Sequence, residues 1–375
     1  MAADSFPLSI VLFVLGVAAI WVGGSRLPET GKSLADRLGI SVTALGLFVL
    51  SVVTSLPELA VTLWAMLGEN APDLAIGNIL GSNNFNLTCL VGLELFYGGV
   101  LLHSVSWTRY IRTCVVLVAM TVAVGLGIAA GNMPGSPAVS VLLFGVPIVA
   151  VYIYDTMTHS GLMKRPVTAQ ARPILMAEPS GIGVPEGAAG QPAGAVRSDA
   201  SGEADRPVWD LVWKFLLLSS LVVLGGFLTA RGANGIAIHP FGRPGAPLVL
   251  GHTFVGTLLV AIATSMPEVS VAYSALRRAG SADMALGTLL GSNAVNILVF
   301  AIGTPLLLLR FSRSAWSAVS DANLVSVAGA LVLTLLVMVG IAARRWRGGR
   351  LITRLAIILM LPVYLLCLAL VYQWT

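Results

Sequence analysis

A five-residue polar motif occurs twice in this chain, each time inside a long apolar run. Residues Thr54 to Glu58 read Thr-Ser-Leu-Pro-Glu, and 210 residues later Thr264 to Glu268 read Thr-Ser-Met-Pro-Glu. Each copy puts two hydroxyls, a proline and a carboxylate where the flanking sequence is apolar enough for a bilayer. Because a carboxylate at that depth faces a partner or a water-filled path, the chain has to fold around these side chains.

A second motif follows each copy of the first at the same interval. Gly81-Ser82-Asn83 with Asn86 is repeated as Gly291-Ser292-Asn293 with Asn296. Alignment of residues 54–86 with 264–296 gives fourteen identities in thirty-three positions. Self-similarity over a fixed offset indicates that two halves of the chain repeat one structural unit.

The apolar runs predict an all-α polytopic membrane protein. The chain is 57% hydrophobic and 10% charged, whereas soluble domains carry about 25% charged residues. A transmembrane helix needs about 20 mostly apolar residues. We predict ten transmembrane helices, at approximately these positions: 7–24, 39–67, 74–100, 111–130, 137–155, 208–230, 248–276, 283–309, 323–343 and 351–373.

The region between the fifth and sixth spans divides the chain. Residues 156–207 are rich in Gly, Ala, Pro and Ser and show no apolar period, which is typical of a mobile linker. We therefore expect a first five-helix repeat in 1–155 and a second in 208–375. Because five is odd, the second repeat enters the membrane from the opposite side. The prediction is two inverted repeats with broken core helices at matching positions, an arrangement that points to a transport site.

The distribution of Lys and Arg predicts the orientation. Of the 22 such residues, sixteen lie in connections on one side and four on the other, and cytoplasmic loops carry the excess. This places both termini outside and the central loop in the cytoplasm. The Ala- and Gly-rich linker favours a prokaryotic cytoplasmic (inner) membrane.

The chemistry of the repeated motifs predicts a cation site. The alternative for Glu58 and Glu268 is a buried ion pair, but every Lys and Arg lies in a predicted loop or near a span end. Two carboxylates balance one divalent or two monovalent cations. Pro57 and Pro267 should each break a helix and free backbone carbonyls. Together the motifs offer the oxygen ligands that hard cations prefer: Thr54, Ser55, Glu58, Ser82, Asn86, Thr264, Ser265, Glu268, Ser292 and Asn296.

These segments resemble the two α-repeats of the cation/Ca²⁺ exchanger superfamily, which carry G-T-S-x-P-E and G-S-N-x-x-N/D signatures. The prokaryotic sodium/calcium exchangers are the most similar branch. The resemblance implies four core helices around a central group of ion sites, formed by the ten residues above, and Na⁺/Ca²⁺ antiport by alternating access. Val53 and Ala263 depart from the family's frequent Gly. Both Asn86 and Asn296 are amides where some relatives carry an acid, which leaves stoichiometry and K⁺ dependence open.

Three other functions are weighed against Na⁺/Ca²⁺ exchange. An H⁺-coupled antiporter for Ca²⁺ or another divalent cation would keep the fold and use the glutamates as proton carriers. An intramembrane hydrolase would use Ser55 or Ser265 as nucleophile, but no His or Lys lies in these segments, and an enzyme is not expected. A passive channel is disfavoured by the inverted repeat.

The other polar residues inside or beside the apolar runs are expected to have mainly structural roles. Asp73 and Asp283 each precede a predicted helix, which favours N-capping. Glu94 has no counterpart at Thr304 and is expected to line a cytoplasmic vestibule or to be an accessory ion residue. The three cysteines lie in apolar runs without metal spacing. We expect no cofactor, no nucleic-acid partner and no obligate protein partner, with Ca²⁺ and Na⁺ bound as substrates in the lipid bilayer.

Overall fold

The fold is helical, with one short hairpin. The computed structural model describes residues 5–37, 53–99, 101–129, 145–159, 207–243, 246–279, 281–311 and 319–375. The predicted start of the second span and nearly all of the predicted linker lie outside these ranges.

The elements of the first half are bounded as follows: α1 Phe6–Gly24, α2 Leu27–Arg37, α3 Leu56–Leu67, α4 Pro72–Phe96, α5 Leu101–Ser104, α6 Trp107–Ala129 and α7 Val146–His159. The elements of the second half are bounded as follows: α8 Val208–Ile238, β1 Phe241–Arg243, β2 Ala246–Leu248, α9 His252–Val255, a π-helical segment Gly256–Val260, α10 Ala261–Ala279, α11 Ala282–Phe311, α12 Ala322–Ala342, a 3₁₀ turn Ala343–Arg345 and α13 Gly349–Trp374. β1 and β2 pair antiparallel, with Phe241 opposite Leu248.

Seven helical stretches in the described part of the chain are long and apolar enough to cross a membrane. The protein is therefore an integral membrane protein with multiple spans. The 25-residue helix α4 is not one of the seven, although its length of about 37 Å suffices to cross. Helix α4 carries many amide and hydroxyl side chains, and these are buried inside the protein. It is therefore a core helix that other helices surround.

The two prolines of the repeated motif do not act alike. Ser55 forms a turn and α3 begins at Leu56, so the chain is interrupted beside Pro57, as predicted. The predicted break at Pro267 is wrong, because α10 continues through it, and the irregular π-helical segment lies earlier, at Gly256–Val260. Pro267 still has no N–H, so it cannot donate to the carbonyl of Ala263 four residues before it. A π-helical segment absorbs one extra residue without ending the helix.

Helix α4 lies unusually close to the π-helical segment. A Cβ added at Gly81 would come 2.4 Å from the carbonyl oxygen of Thr257, and one added at Gly256 would come 2.6 Å from that of Leu74. At Gly77 the corresponding distance to the Thr253 oxygen is 2.8 Å. Gly77 and Gly81 lie four residues apart on one face of α4, a spacing that lets helices approach closely.

Replacing Gly81 with Ala should therefore damage the core. The new methyl has to push two backbones apart, and overpacking of this kind costs about 1–3 kcal/mol. We expect a lower thermal midpoint of the detergent-solubilised protein. Gly92→Ala on the same helix is the matched control, because nothing lies within 4 Å of its added Cβ. Equal midpoints for the two variants would contradict the close approach.

Helices α1 and α8 pack against each other and reach the repeated motifs. A Cβ at Gly232 of α8 would come 2.4 Å from the backbone nitrogen of Phe13 in α1. At the end of α1, a Cβ at Gly24 would come 2.8 Å from the ring of Pro267 and 3.9 Å from that of Pro57. The end of α1 therefore lies directly beside both prolines, while a Cβ at Gly226 of α8 would come 2.5 Å from Ala60 of α3.

Asp73 and Asp283 do not cap their own helices, so the N-capping prediction is wrong. Each lies in the first turn and accepts hydrogen bonds from the start of a helix in the other half. Asp73 Oδ1 accepts from the Ser320 backbone N–H at 2.7 Å and from Asn323 Nδ2 at 2.8 Å, beside α12. Asp283 Oδ1 accepts from the Ser106 N–H at 3.2 Å, just before α6. The duplicated aspartates thus tie the two halves together.

Candidate cation site

The structure brings the predicted site residues together from α3, α4, α10 and α11 and from the turn before α3. All ten side chains are buried, with at most 1% of their surface exposed. The two halves of the chain contact each other through the carboxylates and the Ser/Asn segments. In each of these contacts the two residues are 179 or more positions apart in sequence. Burial of so many polar groups is tolerated only where they satisfy one another or receive a ligand.

Hydroxyl groups connect the carboxylate of each half to the other half. Ser265 Oγ donates to Glu58 Oε1 at 3.3 Å. Ser292 Oγ donates to Glu268 Oε1 at 3.0 Å and lies 2.9 Å from Ser55 Oγ. The side chain of Thr54 also hydrogen-bonds to the Glu268 carboxylate. Each glutamate therefore accepts at least one hydroxyl hydrogen bond from the opposite repeat, and Glu268 also accepts one from Ser292 of its own repeat.

Four asparagines form a two-fold clamp between α4 and α11. Asn83 Nδ2 donates to the Asn293 carbonyl at 3.2 Å, and Asn293 Nδ2 donates to the Asn83 carbonyl at 3.1 Å. Asn86 Nδ2 donates to Asn293 Oδ1 at 3.0 Å, and Asn296 Nδ2 donates to Asn83 Oδ1 at 3.1 Å. These bonds engage the amide donors of Asn86 and Asn296 and leave the Oδ1 of each buried, with no hydrogen-bond partner among the described residues.

The two carboxylates have no resident counter-charge in the described part of the chain. Neither forms an ion pair, and hydroxyl, amide and backbone groups surround them. Their Oε2 atoms are buried and accept no hydrogen bond. Each acts electrostatically on the other, and like charges this close repel. Two unpaired buried carboxylates cost several kcal/mol each, so a bound cation would relieve both the desolvation and the repulsion.

The donor set determines what kind of cation fits. Among the described residues, no three His, Cys, Asp or Glu side chains gather as a metal-binding group. A cation bound here would meet two carboxylates plus neutral hydroxyl, amide and carbonyl oxygens. Such all-oxygen surroundings suit hard ions of the Na⁺ and Ca²⁺ type rather than zinc or copper.

Asn78 and the clamp formed by Asn83 and Asn293 were not predicted from the sequence. Asn78 is fully buried and accepts a hydrogen bond from Thr264 Oγ1 at 3.1 Å. Its repeat counterpart is Thr288, so no duplicated signal marked it. Asn83 and Asn293 do belong to the duplicated motif, and that repetition was a usable signal.

Glu94 lies away from the site. It is buried in the last turn of α4, and its Oε2 accepts from the Leu102 backbone N–H at 3.1 Å. Twelve residues of helix separate it from Ser82, a distance of about 18 Å along the axis. Its observed hydrogen bond fixes the connection to α5.

A helical membrane protein with a buried, oxygen-lined, two-carboxylate site belongs to the class of ion transporters. The sequence profile of the sodium/calcium exchanger protein family matches residues 8–154 and 211–373, most of the chain. The chain therefore belongs to this family of cation/Ca²⁺ exchangers, and the resemblance noted from its motifs is confirmed.

Individual relatives cover most of the chain at modest identity. The putative antiporter CaxA of Alkalimonas amylolytica is 32% identical over 299 residues, 79% of this chain and 81% of CaxA. The inner membrane protein YrbG of Escherichia coli is 25% identical over 304 residues, 80% of each chain. The sodium/calcium exchanger MaX1 of Methanosarcina acetivorans is 24% identical over 348 residues, 91% of this chain and 94% of MaX1.

Two solved structures share the fold. The H⁺/Ca²⁺ exchanger CAX has a TM-score of 0.57 at 14% identity, covering 97% of this chain and 89% of CAX. The sodium-calcium exchanger NCX_Mj has a TM-score of 0.54 at 21% identity, covering 97% of this chain and 99% of that protein. The architecture is common to exchangers named for different coupling ions, so the fold alone does not distinguish Na⁺ from H⁺.

Proposed function

We propose that this protein is a secondary antiporter that exchanges Na⁺ for Ca²⁺ by alternating access. The observation that carries the proposal is the pair of buried carboxylates, Glu58 and Glu268, whose neighbours are neutral oxygen groups contributed by both halves. Na⁺ and Ca²⁺ have similar radii, so one set of oxygens serves both in turn. Two negative charges do not hold a full Na⁺ load and Ca²⁺ together, and this competition couples the two fluxes.

The ligands in this proposal are the ten predicted residues. The carboxylates supply the charge, the hydroxyls of Thr54, Ser55 and their counterparts supply neutral oxygens, and Asn86 and Asn296 present their Oδ1 atoms. Support comes from the buried Oε2 and Oδ1 atoms that have no hydrogen-bond partner. A bound cation would satisfy buried acceptors of this kind.

The architecture of this proposal is ten transmembrane helices in two inverted five-helix repeats, residues 1–155 and 208–375, joined by a cytoplasmic linker, with the first repeat interrupted beside Pro57 and the second carrying a π-helical segment at Gly256–Val260. The two-fold asparagine clamp and the reciprocal aspartate contacts support the inverted relation. The end of α1 lies beside Pro57 and Pro267. Both termini face outside a prokaryotic inner membrane in this scheme.

The alternative within the same fold is H⁺-coupled exchange. Buried carboxylates that accept hydrogen bonds from hydroxyls can carry protons as well as metal ions, and the shared fold with the H⁺/Ca²⁺ exchanger CAX favours keeping this candidate. The Thr-Ser-x-Pro-Glu form of the motif favours Na⁺ over H⁺ as the coupling ion.

Calcium flux in proteoliposomes with imposed gradients separates the two. We expect an inward-directed gradient of Na⁺, at constant pH, to drive Ca²⁺ in the opposite direction. A pH gradient without Na⁺ should then drive little flux. Flux that follows the pH gradient and ignores Na⁺ would select H⁺ coupling, and flux indifferent to any counter-ion would indicate passive conduction.

A further inference from the structure

Five arginines are concentrated where the chain leaves α12 and enters α13. They lie within eleven residues and form what we call the arginine cluster: Arg344, Arg345, Arg347, Arg350 and Arg354. Only three residues separate the two membrane-spanning stretches Ala322–Arg345 and Gly349–Trp374, so the turn between them lies at the surface of the bilayer. All five arginine side chains are exposed there.

The described part of the protein does not neutralise the charge of the arginine cluster. Segments 101–112 and 343–354, which contact each other here, contain no Asp or Glu. None of the five arginines forms an ion pair with a described residue. Burial, together with the positive charges of Arg350 and Arg344, lowers the pKa of His103. The cluster therefore carries an excess of positive charge that neighbouring groups experience.

Two of the arginines fix the turn on the α5–α6 connection. Arg344 Nη1 donates to the Val105 carbonyl at 3.3 Å. The guanidinium carbon of Arg345 lies 4.0 Å from the centre of the Trp107 ring, which is a cation–π contact. The other three arginines of the cluster make no hydrogen bond to a described residue, so their donors are available to a ligand.

The α5–α6 connection also holds the ends of two core helices. The Leu102 backbone N–H donates to Glu94 Oε2 at the end of α4, and the Ser106 backbone N–H donates to Asp283 Oδ1 at the start of α11. Helices α4 and α11 carry the asparagine clamp. A ligand that neutralises the arginine cluster would therefore stabilise a connection on which the core helices depend.

Helix α13 presents an apolar face directly beside the arginine cluster. Leu351, Leu355 and Ile358 are each more than half exposed, and their spacing of four and three residues puts them on one face of the helix. Arg350 and Arg354 directly precede the two leucines in sequence. Because long side chains on a helix point back toward its N-terminus, these guanidiniums reach toward the membrane surface, above the apolar face.

We propose that the arginine cluster binds the headgroup of an anionic phospholipid, whose acyl chains lie along the exposed apolar face of α13. Guanidinium groups match phosphate oxygens with two parallel hydrogen bonds, and clusters of Lys and Arg beside a membrane-spanning helix are typical of sites for acidic lipids. A soluble phosphate would use the same guanidiniums but not the apolar face, which favours the lipid. The bound lipid stabilises the α5–α6 connection, at a place separate from the cation site.

The test measures the thermal midpoint of the purified full-length protein in detergent during titration with phosphatidylglycerol or phosphatidylcholine. Phosphatidylglycerol should raise the midpoint saturably, and phosphatidylcholine should leave it unchanged. The test variant is Arg347→Gln/Arg350→Gln/Arg354→Gln. Each arginine near a membrane surface adds about fivefold to the affinity for acidic lipid, so the half-maximal lipid concentration should rise about a hundredfold in this variant.

Arg26→Gln/Arg37→Gln/Arg277→Gln is the matched control. It removes the same net charge from other connections that are predicted to lie on the same side of the membrane, and it should keep the half-maximal concentration of the unmodified protein. An equal loss of affinity in the two triple variants would mean general attraction to positive charge and overturn the proposal. An equal shift with phosphatidylcholine would also overturn it, and an equal shift with inorganic phosphate would mean a site for soluble anions instead.

If the triple variant does not fold, the single variants Arg347→Gln and Arg350→Gln decide. Each should raise the half-maximal phosphatidylglycerol concentration about fivefold, and an unchanged value in both would contradict the proposal. Neither measurement involves Ca²⁺, so failure of the lipid site would leave the proposed cation exchange standing.

Discussion

Glu58→Gln and Glu268→Gln are each expected to reduce gradient-driven Ca²⁺ uptake to the background of empty vesicles. Glutamine keeps the size and one oxygen of the side chain but removes the charge, and the two carboxylates carry the only charge in the ten-residue site. With one negative charge left, a divalent cation is no longer balanced in surroundings where unpaired charge costs several kcal/mol. The measurement is radioactive Ca²⁺ uptake into proteoliposomes.

Glu94→Gln is the matched control for both glutamate variants. It changes another buried carboxylate in the same helical core, and the remaining amide oxygen can still accept from the Leu102 N–H. Uptake should persist. If Glu94→Gln lost as much Ca²⁺ uptake as Glu58→Gln, removing any buried carboxylate would be enough to stop transport. The loss in Glu58→Gln would then say nothing about the cation site.

Asn83→Ala and Asn293→Ala are expected to produce the next largest loss, at least tenfold in uptake. Each removes a donor to the opposite backbone and an acceptor for Asn296 or Asn86, so a buried amide donor loses its partner. Such an unsatisfied group costs about 1–3 kcal/mol, and the released amide is free to turn its nitrogen toward the cation. A lower thermal midpoint should accompany the loss.

Thr88→Val controls for the asparagine variants on the same helix. The Thr88 hydroxyl donates only to the Asn84 carbonyl one turn earlier, at 2.8 Å, so its removal leaves no group from the other half unpaired. We expect uptake near that of the unmodified protein. If Asn83→Ala and Asn293→Ala left Ca²⁺ uptake unchanged, the clamp would not be needed for transport.

The sequence predicts which side chains converge where their chemistry is duplicated. The repeated Glu, Ser and Asn residues indicated which side chains would converge, and the helix bounds follow the apolar runs, as for α12 at Ala322–Ala342. Polar residues inside membrane-length apolar runs carry this information because burying them without a partner is costly.

The predictions that failed concern partners that are distant in sequence. An aspartate at the start of a helix, such as Asp73, resembles an N-cap. Its carboxylate instead accepts a hydrogen bond from the backbone N–H of Ser320, 247 residues away. The break expected at Pro267 is replaced by a π-helical segment upstream, where the close approach of α4 constrains the backbone. Asn78 was missed because its importance depends on contacts with Thr62 and Thr264, which no local pattern encodes.

Equilibrium Ca²⁺ binding to the purified protein tests the central claim, that the two buried carboxylates take a cation as their partner. We expect saturable Ca²⁺ binding that Na⁺ displaces. This binding should be lost in the Glu58→Gln/Glu268→Gln double variant, while Glu94→Gln binds normally. Calcium bound as tightly by the double variant as by the unmodified protein would contradict it.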